Sequence, residues 1–172
     1  MKQSEVLKEK QAAVEAELEK VCDRLFGDND KSEQEMTELR NRFHELHGET
    51  QMLDTQIRTE RNREIEVGDG VTVTYWSDRE AYTVIRKTTK TITIQRDKAI
   101  LADDFKPEFI TGGFSAHCTN NADQHYVYLR DPNGETKVAR WSEKHGCYRV
   151  DGTLRVSVGR HEFYDYNYHT ER

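Results

Sequence analysis

Proline occurs twice in this 172-residue chain and cysteine three times, and no uninterrupted apolar run is long enough to span a bilayer. The start, "MKQSEVLKEK", has no apolar core of a secretory signal, so the chain reads as a cytoplasmic protein with no membrane partner. Cys22, Cys118 and Cys147 are odd in number and lack framework spacing, which predicts free thiols rather than disulfides. The ten glycines are not gathered into a Gly- or Ser-rich tract, which excludes a low-complexity chain. Missing as well are GxxxxGK[ST], GxGxxG, HExxH and GxSxG, so the sequence implies no cofactor and no catalytic centre of those kinds.

Apolar residues make up 34% of the chain and charged residues another 34%, a balance that suits an extended charged element joined to a compact unit. The formal charge is −6, and it is unevenly spread: residues 1–64 hold 16 Asp and Glu against 11 Lys and Arg, whereas residues 65–172 hold 16 against 15. Acidity of this kind argues against strong nonspecific binding to nucleic acid, which needs a clustered cationic surface.

Up to Arg63 there is no proline, and apolar residues recur at alternating spacings of three and four. One track runs Leu7, Gln11, Val14, Leu18, Val21, Leu25, and a second runs Met36, Leu39, Phe43, Leu46, Thr50, Leu53, Ile57. Between them Gly27 can end one helix and Asp30 or Ser32 can cap the next, with Ser32 and Glu35 at capping-box spacing. Folded back on each other, the tracks pair Leu25 with Met36, Val21 with Leu39, Leu18 with Phe43, Val14 with Leu46 and Leu7 with Leu53. Gln11 and Thr50 then share a polar layer. The prediction is an antiparallel helical hairpin over residues 1–63; the rival is one continuous helix in a parallel dimer. A two-helix hairpin buries only one stripe per helix, so it calls for a partner surface, either the rest of the chain or a second copy forming a homodimer.

From Glu64 the period becomes two. "VTVTYW", "AYTVIRK" and "TITIQR" read as a three-stranded meander, and "HYVYLR", "TKVARW", "CYRV" and "TLRVSV" as further strands. "DPNG" (131–134) and "VDGT" (150–153) are hairpin turn signals. The fold class predicted is α+β: the hairpin, then an antiparallel SH3-like barrel or bent sheet over residues 64–172. The opening "VGDGVTVTYWSDREAYTVI" resembles the first hairpin of SH3-like or Tudor-like barrels.

The candidate binding residues lie in the second half. Tyr164, Tyr166 and Tyr168 alternate and so share one face of a terminal strand expected to close the barrel, with Phe163 on the other face. They serve as a stacking platform or as core. Tyr75 and Trp76, before "SDR", form either a recognition surface or, for Trp76, a cap on the barrel. Arg79, Arg96, Lys98, Arg140 and Arg160 lie at strand ends or turns, where they converge on a phosphate or carboxylate, or form an internal network in which Asp97 joins Asp78 and Asp165. His117-Cys118 and His145-x-Cys147 supply enough ligand types for zinc, or a thiol nucleophile, but without knuckle spacing or a flanking signature.

"YWSDREAYTV", "QRDKA" and "VGRHEFYDYNY" together resemble a pattern in small, functionally uncharacterised proteins encoded by bacteriophages and other mobile elements of bacteria. The resemblance covers most of residues 67–168. It implies an accessory protein of the kind that inhibits host defence, anti-CRISPR proteins among them, which present carboxylates to nucleic-acid-binding clefts. The function expected is a non-enzymatic inhibitor that contacts a host protein or ribonucleoprotein, such as a CRISPR effector. The alternatives are a nucleic-acid or nucleotide-binding module built on Tyr75, Trp76, Arg79, Arg96, Lys98, Arg160, Tyr164 and Tyr166, and a zinc- or thiol-dependent enzyme.

Overall fold

Helix α1 spans Gln3–Phe26 and α2 spans Glu33–Arg63 in the computed structural model, which describes residues 2–27, 31–112 and 115–167. Ser32 caps α2: its hydroxyl accepts from the Glu35 N–H at 3.2 Å while the Glu35 carboxylate accepts from the Ser32 N–H. Gly27 ends α1 in a right-handed conformation, its N–H donating to the Asp23 carbonyl. Asp30 lies outside the described residues. The two helices pack through the predicted seam, with Val14, Val21, Leu25, Leu39, Leu46 and Leu53 buried and Leu7, Leu18, Met36 and Phe43 half-buried around them. The antiparallel hairpin is therefore the arrangement present.

The polar layer differs from expectation. Gln11 donates to Asp54 at 2.8 Å, and the Thr50 hydroxyl turns back to the Leu46 carbonyl of its own helix. A Thr hydroxyl finds a carbonyl four residues back without leaving its rotamer, so it does not wait for a partner across the seam.

The chain divides into two units, Met1–Glu64 and Ile65–Arg172. In the second, β1 (Gly70–Thr74), β2 (Arg79–Lys87) and β3 (Thr91–Arg96) form the predicted meander. Two short ladders follow: β4 (Lys98–Leu101) pairs with β7 (Tyr126–Leu129), and β5 (Phe109–Gly112) with β6 (Ser115–Cys118). The barrel resumes with β8 (Thr136–Ser142), β9 (Cys147–Val150) and β10 (Leu154–Val158). The order β1-β10-β9-β8-β3-β2 closes on itself, a six-stranded antiparallel barrel. Its core is Ile65, Val71, Val73, Tyr82, Val84, Ile92, Ile94, Ala139, Tyr148, Val150 and Val156.

Two turn signals behave differently. At "VDGT", Asp151 and Gly152 both take positive φ (50° and 70°), the backbone a tight hairpin requires, and β9 pairs with β10 across it. "DPNG" also turns, the Gly134 N–H donating to the Asp131 carbonyl at 3.0 Å, but it does not join a hairpin. β7 before it pairs with β4 and β8 after it with β3. The cause lies at Asp97, whose N–H donates to the Ala81 carbonyl and whose carboxylate is held by Thr83 and Arg160. The ladder stops there because the Ala81 N–H donates to Glu162 and the Asp97 carbonyl accepts from Arg96, and β4 beyond it pairs with β7. Residues 97–135 thus form an insertion between two barrel strands.

The terminal tyrosine segment is a strap, not the closing strand; β10 closes the barrel by pairing with β1. Residues 159–167 lie over the outer faces of β1 and β2, touching the ladder at a single bridge, Arg79 to Phe163. Thr72 donates to the Gly159 carbonyl and accepts from the His161 N–H. This cover explains why Thr72, Ala81 and Thr83, which alternate with the core residues and so face outward, are buried. Tyr168 lies outside the described residues.

Candidate functional site

The eight candidate binding residues go to three places. Arg96, Arg160 and Tyr166 are internal. Arg96 donates to Glu162 at 2.5 Å and Arg160 to Asp97 at 2.8 Å, and both carboxylates are only 2% exposed. The pairs interlock, because Arg96-Asp97 leaves the barrel at β3 while Arg160 and Glu162 belong to the strap. Glu162 also accepts from the Ala81 N–H at 2.9 Å, and Arg160 donates to the Thr83 hydroxyl. The internal network expected from the sequence exists with Glu162 as the partner of Arg96; Asp78 and Asp165 meet through a backbone N–H of Asp165 instead.

Tyr166 is buried with Phe105 and Cys118, and Tyr164 packs edge-on against it at 4.9 Å between ring centroids. Tyr164 and Tyr166 do share one side of their segment, and that side is a small core between strap and insertion. Side chains finish the attachment: Gln124 bonds both the N–H and carbonyl of Tyr164, and Asn167 accepts from the Cys118 N–H.

Trp76, Tyr75 and Arg79 belong to the turn between β1 and β2, which the Tyr75 N–H closes by donating to the Asp78 carbonyl. Trp76 is 97% exposed, so it caps nothing. Arg79 is exposed with its guanidinium 5.4 Å from the centre of the Phe163 ring. Lys98 stands on the outer face of the β4–β7 ladder, and Arg140 is exposed on β8.

Tyr75 turns into the barrel mouth, where it joins residues that the sequence reading did not single out. Glu80 accepts from the hydroxyls of Tyr75 and Tyr82, each at 2.7 Å, and Lys137 donates to the Tyr75 hydroxyl at 2.6 Å. Arg96 and Lys137 stand 3.8 and 3.9 Å from the same carboxylate. Burial would raise the Glu80 pKa, but the two tyrosine hydroxyls and the two cations together hold it below its ordinary 4.5. For Tyr82, burial acts first, then the bonds to Tyr75 and Glu80, and all push its phenol up. The mouth thus holds a charge-paired, hydrogen-bonded plug of two tyrosines, one carboxylate and two cations, half-buried at one end of the hydrophobic core. Strand parity was the available signal: Glu80 has the inward parity of Tyr82 and Val84, and Lys137 that of Ala139 and Trp141, and a charge at an inward position needs partners.

Because the folded-state pKa of Glu80 is depressed, the stability it supplies is present above the ordinary carboxylate range and lost as pH falls through the folded value. The stability gap between the native chain and Glu80→Gln, measured by urea denaturation, is expected to be full near neutral pH and to close below 4.5. A gap unchanged between pH 7 and 3 would show that the carboxylate charge contributes nothing.

Cys118 is buried against the strap and Cys147 in the barrel, on separate sheets, with His145 near Ser142. Among the described residues no three His, Cys, Asp or Glu side chains converge as metal ligands. Nor is any described helix long and apolar enough to cross a membrane.

The hairpin carries a second feature. Residues 15–38, the loop end, hold nine Asp and Glu against three Lys and Arg, while residues 1–14 and 39–64 together hold seven against eight. Glu15, Glu17, Glu19, Asp23, Glu33, Glu35 and Glu38 are all exposed there, beside an exposed Phe26. Compared with known proteins, the chain matches no family model, no curated protein and no solved structure.

Proposed function

We propose that this protein is a non-enzymatic inhibitor of the phage-encoded type, which binds a host nucleic-acid-dependent machine such as a CRISPR effector by protein–protein contact. The observation that carries this reading is the placement of charge: the excess negative charge of the hairpin is gathered at its loop end. A rigid rod that ends in carboxylates complements a cationic cleft built to hold phosphates, and long-range attraction speeds its docking.

The test is capture from nuclease-treated bacterial lysate with the tagged full chain, set beside a variant carrying Glu15→Gln, Glu19→Gln, Glu33→Gln and Glu38→Gln. Gln keeps helix propensity, so the exchange isolates charge. A stoichiometric nucleic-acid-binding protein is expected to survive nuclease, with roughly tenfold or greater loss of affinity in the variant. Unchanged affinity would refute the electrostatic reading.

Exposure of Trp76 favours a second reading, in which that indole stacks on a base with Arg79 beside it. It requires recovery of nucleic acid alone, with binding that falls steeply as salt rises.

A further inference from the structure

Three consecutive barrel strands each carry an arginine between two apolar residues: "ARW" in β8, "YRV" in β9 and "LRV" in β10. Their apolar members, Ala139, Trp141, Tyr148, Val150, Leu154 and Val156, form or flank the barrel core, so Arg140, Arg149 and Arg155 point outward. Register brings the three into line. Arg140 stands opposite Arg149, and Arg149 opposite Arg155. The row continues through Thr74, which is opposite both Arg155 and Arg79. It thus crosses five neighbouring strands of the barrel, and four of them place an arginine in it. Trp76, 97% exposed, lies two residues beyond Thr74, just past the end of β1.

The fold gains little from this row. Residues directly opposite on neighbouring strands hold their Cβ atoms about 5 Å apart, and like charges so placed are destabilising. Among the described residues Arg140 and Arg155 make no hydrogen bond or ion pair. Arg149 donates through Nη2 to the Thr153 carbonyl, and its buried Nε has no hydrogen-bond partner among the described residues. A buried donor left unsatisfied on a cation costs free energy. Arg96 and Arg160, folded against Glu162 and Asp97, show by contrast how this chain treats the cations it uses structurally. Carboxylates near the row are engaged elsewhere: Glu80 in the barrel mouth, Asp78 accepting from the Asp165 N–H, and Glu135 beside Lys137. Glu143 and Asp151 lie in the turns that flank β9, off the row.

We infer that Arg140, Arg149 and Arg155 form a phosphate-binding track for single-stranded nucleic acid. Guanidiniums spaced along a surface match a chain of phosphates, each of which offers oxygens to a planar fork of donors. A strand that follows the row past Arg155 comes to Trp76 and Arg79, where a base stacks on the indole. Only a strand whose bases are unpaired can offer one to such a side chain while its backbone stays on the arginines. The indole selects nucleic acid over an acidic polypeptide, which has no base to stack. Residues 65–172 hold 15 Lys and Arg against 16 Asp and Glu, so the attraction is local to the row and the affinity modest, with a dissociation constant of roughly 1–100 μM at physiological salt. This inference goes beyond the inhibitor reading and does not depend on it; it rests on the reading built from Trp76 only for the class of polyanion.

Fluorescence anisotropy of a labelled oligothymidylate of about fifteen nucleotides, titrated with the full chain at several salt concentrations, tests it. The native protein is expected to bind, with the logarithm of the association constant falling against that of salt at a slope of about −2, from about −0.7 for each of three phosphates. Arg140→Gln and Arg155→Gln are each expected to weaken binding roughly threefold to tenfold and to flatten the slope by about 0.7. Both side chains are exposed, so the melting temperature should hold or rise, which a structural role would not allow. Lys20→Gln removes an exposed cation of α1 and is expected to leave the slope unchanged. Trp76→Ala separates the track from the indole: it should weaken binding and keep the slope. If Trp76→Ala alone abolishes binding while the arginine exchanges do nothing, the indole reading stands and the track is wrong. No binding in this range, or a slope indifferent to both arginine exchanges, would overturn the proposal. Tighter binding of polyglutamate than of the oligonucleotide would give the row to an acidic protein partner and overturn it as well.

Discussion

Replacing Glu162 with alanine is expected to cost about 3 kcal/mol or more and to lower the melting temperature of the β unit by roughly 10–15 °C. The carboxylate is almost fully buried, pairs with Arg96 and accepts from the Ala81 N–H. Truncation leaves Arg96, itself largely enclosed, with only the Glu80 carboxylate, 3.8 Å away and shared with Lys137, as counter-charge, and leaves a buried backbone donor unsatisfied. Removing one partner of a buried pair is far more costly than the pair is stabilising, because the desolvation of the survivor is no longer offset. Glu162→Gln retains an acceptor for Ala81 and should lose distinctly less. The strap is expected to loosen with Glu162, so amide protection of Tyr164 and Cys118 should fall along with the melting temperature. A loss below about 0.5 kcal/mol, the size of an ordinary surface substitution, would show that the strap is not held by this pair.

The second large effect is expected in the hairpin. Leu46 is 1% exposed at the middle of the seam, in one buried cluster with Val14, and Leu46→Ala should cost about 2–5 kcal/mol. A two-helix hairpin owes its stability to that one stripe, since most helical stability in proteins comes from packing an apolar face and not from propensity. The expected result is loss of much of the helical circular dichroism, with the near-ultraviolet signal of Trp141 and Tyr148, packed edge to face in the barrel, left intact. The exposed Met52, next to Leu53 on the same helix but off the seam, is the control: Met52→Ala should change helicity little. Simultaneous loss of both signals would mean that the two units fold as one.

What was legible in the sequence is what local periodicity encodes. The three–four spacing from Leu7 to Leu25 and from Met36 to Ile57 determined both helices, their antiparallel pairing and the Ser32 cap, because a seam and a capping box are set by residues within a few turns of each other. Period-two runs determined seven of the strands, β1, β2, β3, β7, β8, β9 and β10, in the same manner, from "VTVTYW" to "TLRVSV", and the Asp151-Gly152 turn. The alternation even held the signal for the plug at Glu80 and Lys137.

Tertiary structure alone decided which strands pair and which charges meet. "DPNG" looked like a hairpin because a turn is local, but the partners of β7 and β8 lie about thirty and forty residues earlier in the chain, chosen where Asp97 breaks the β3 ladder. The tyrosine segment alternated like a strand and became a strap, because β10 had already taken the free edge of β1 and the polar side chains of the insertion were there to bind its backbone. Arg96 and Arg160, cations at strand ends, looked available for a ligand. They became structural when folding brought Glu162 and Asp97 to them from 66 and 63 residues away, and burial of a charge leaves it no choice but to find such a partner.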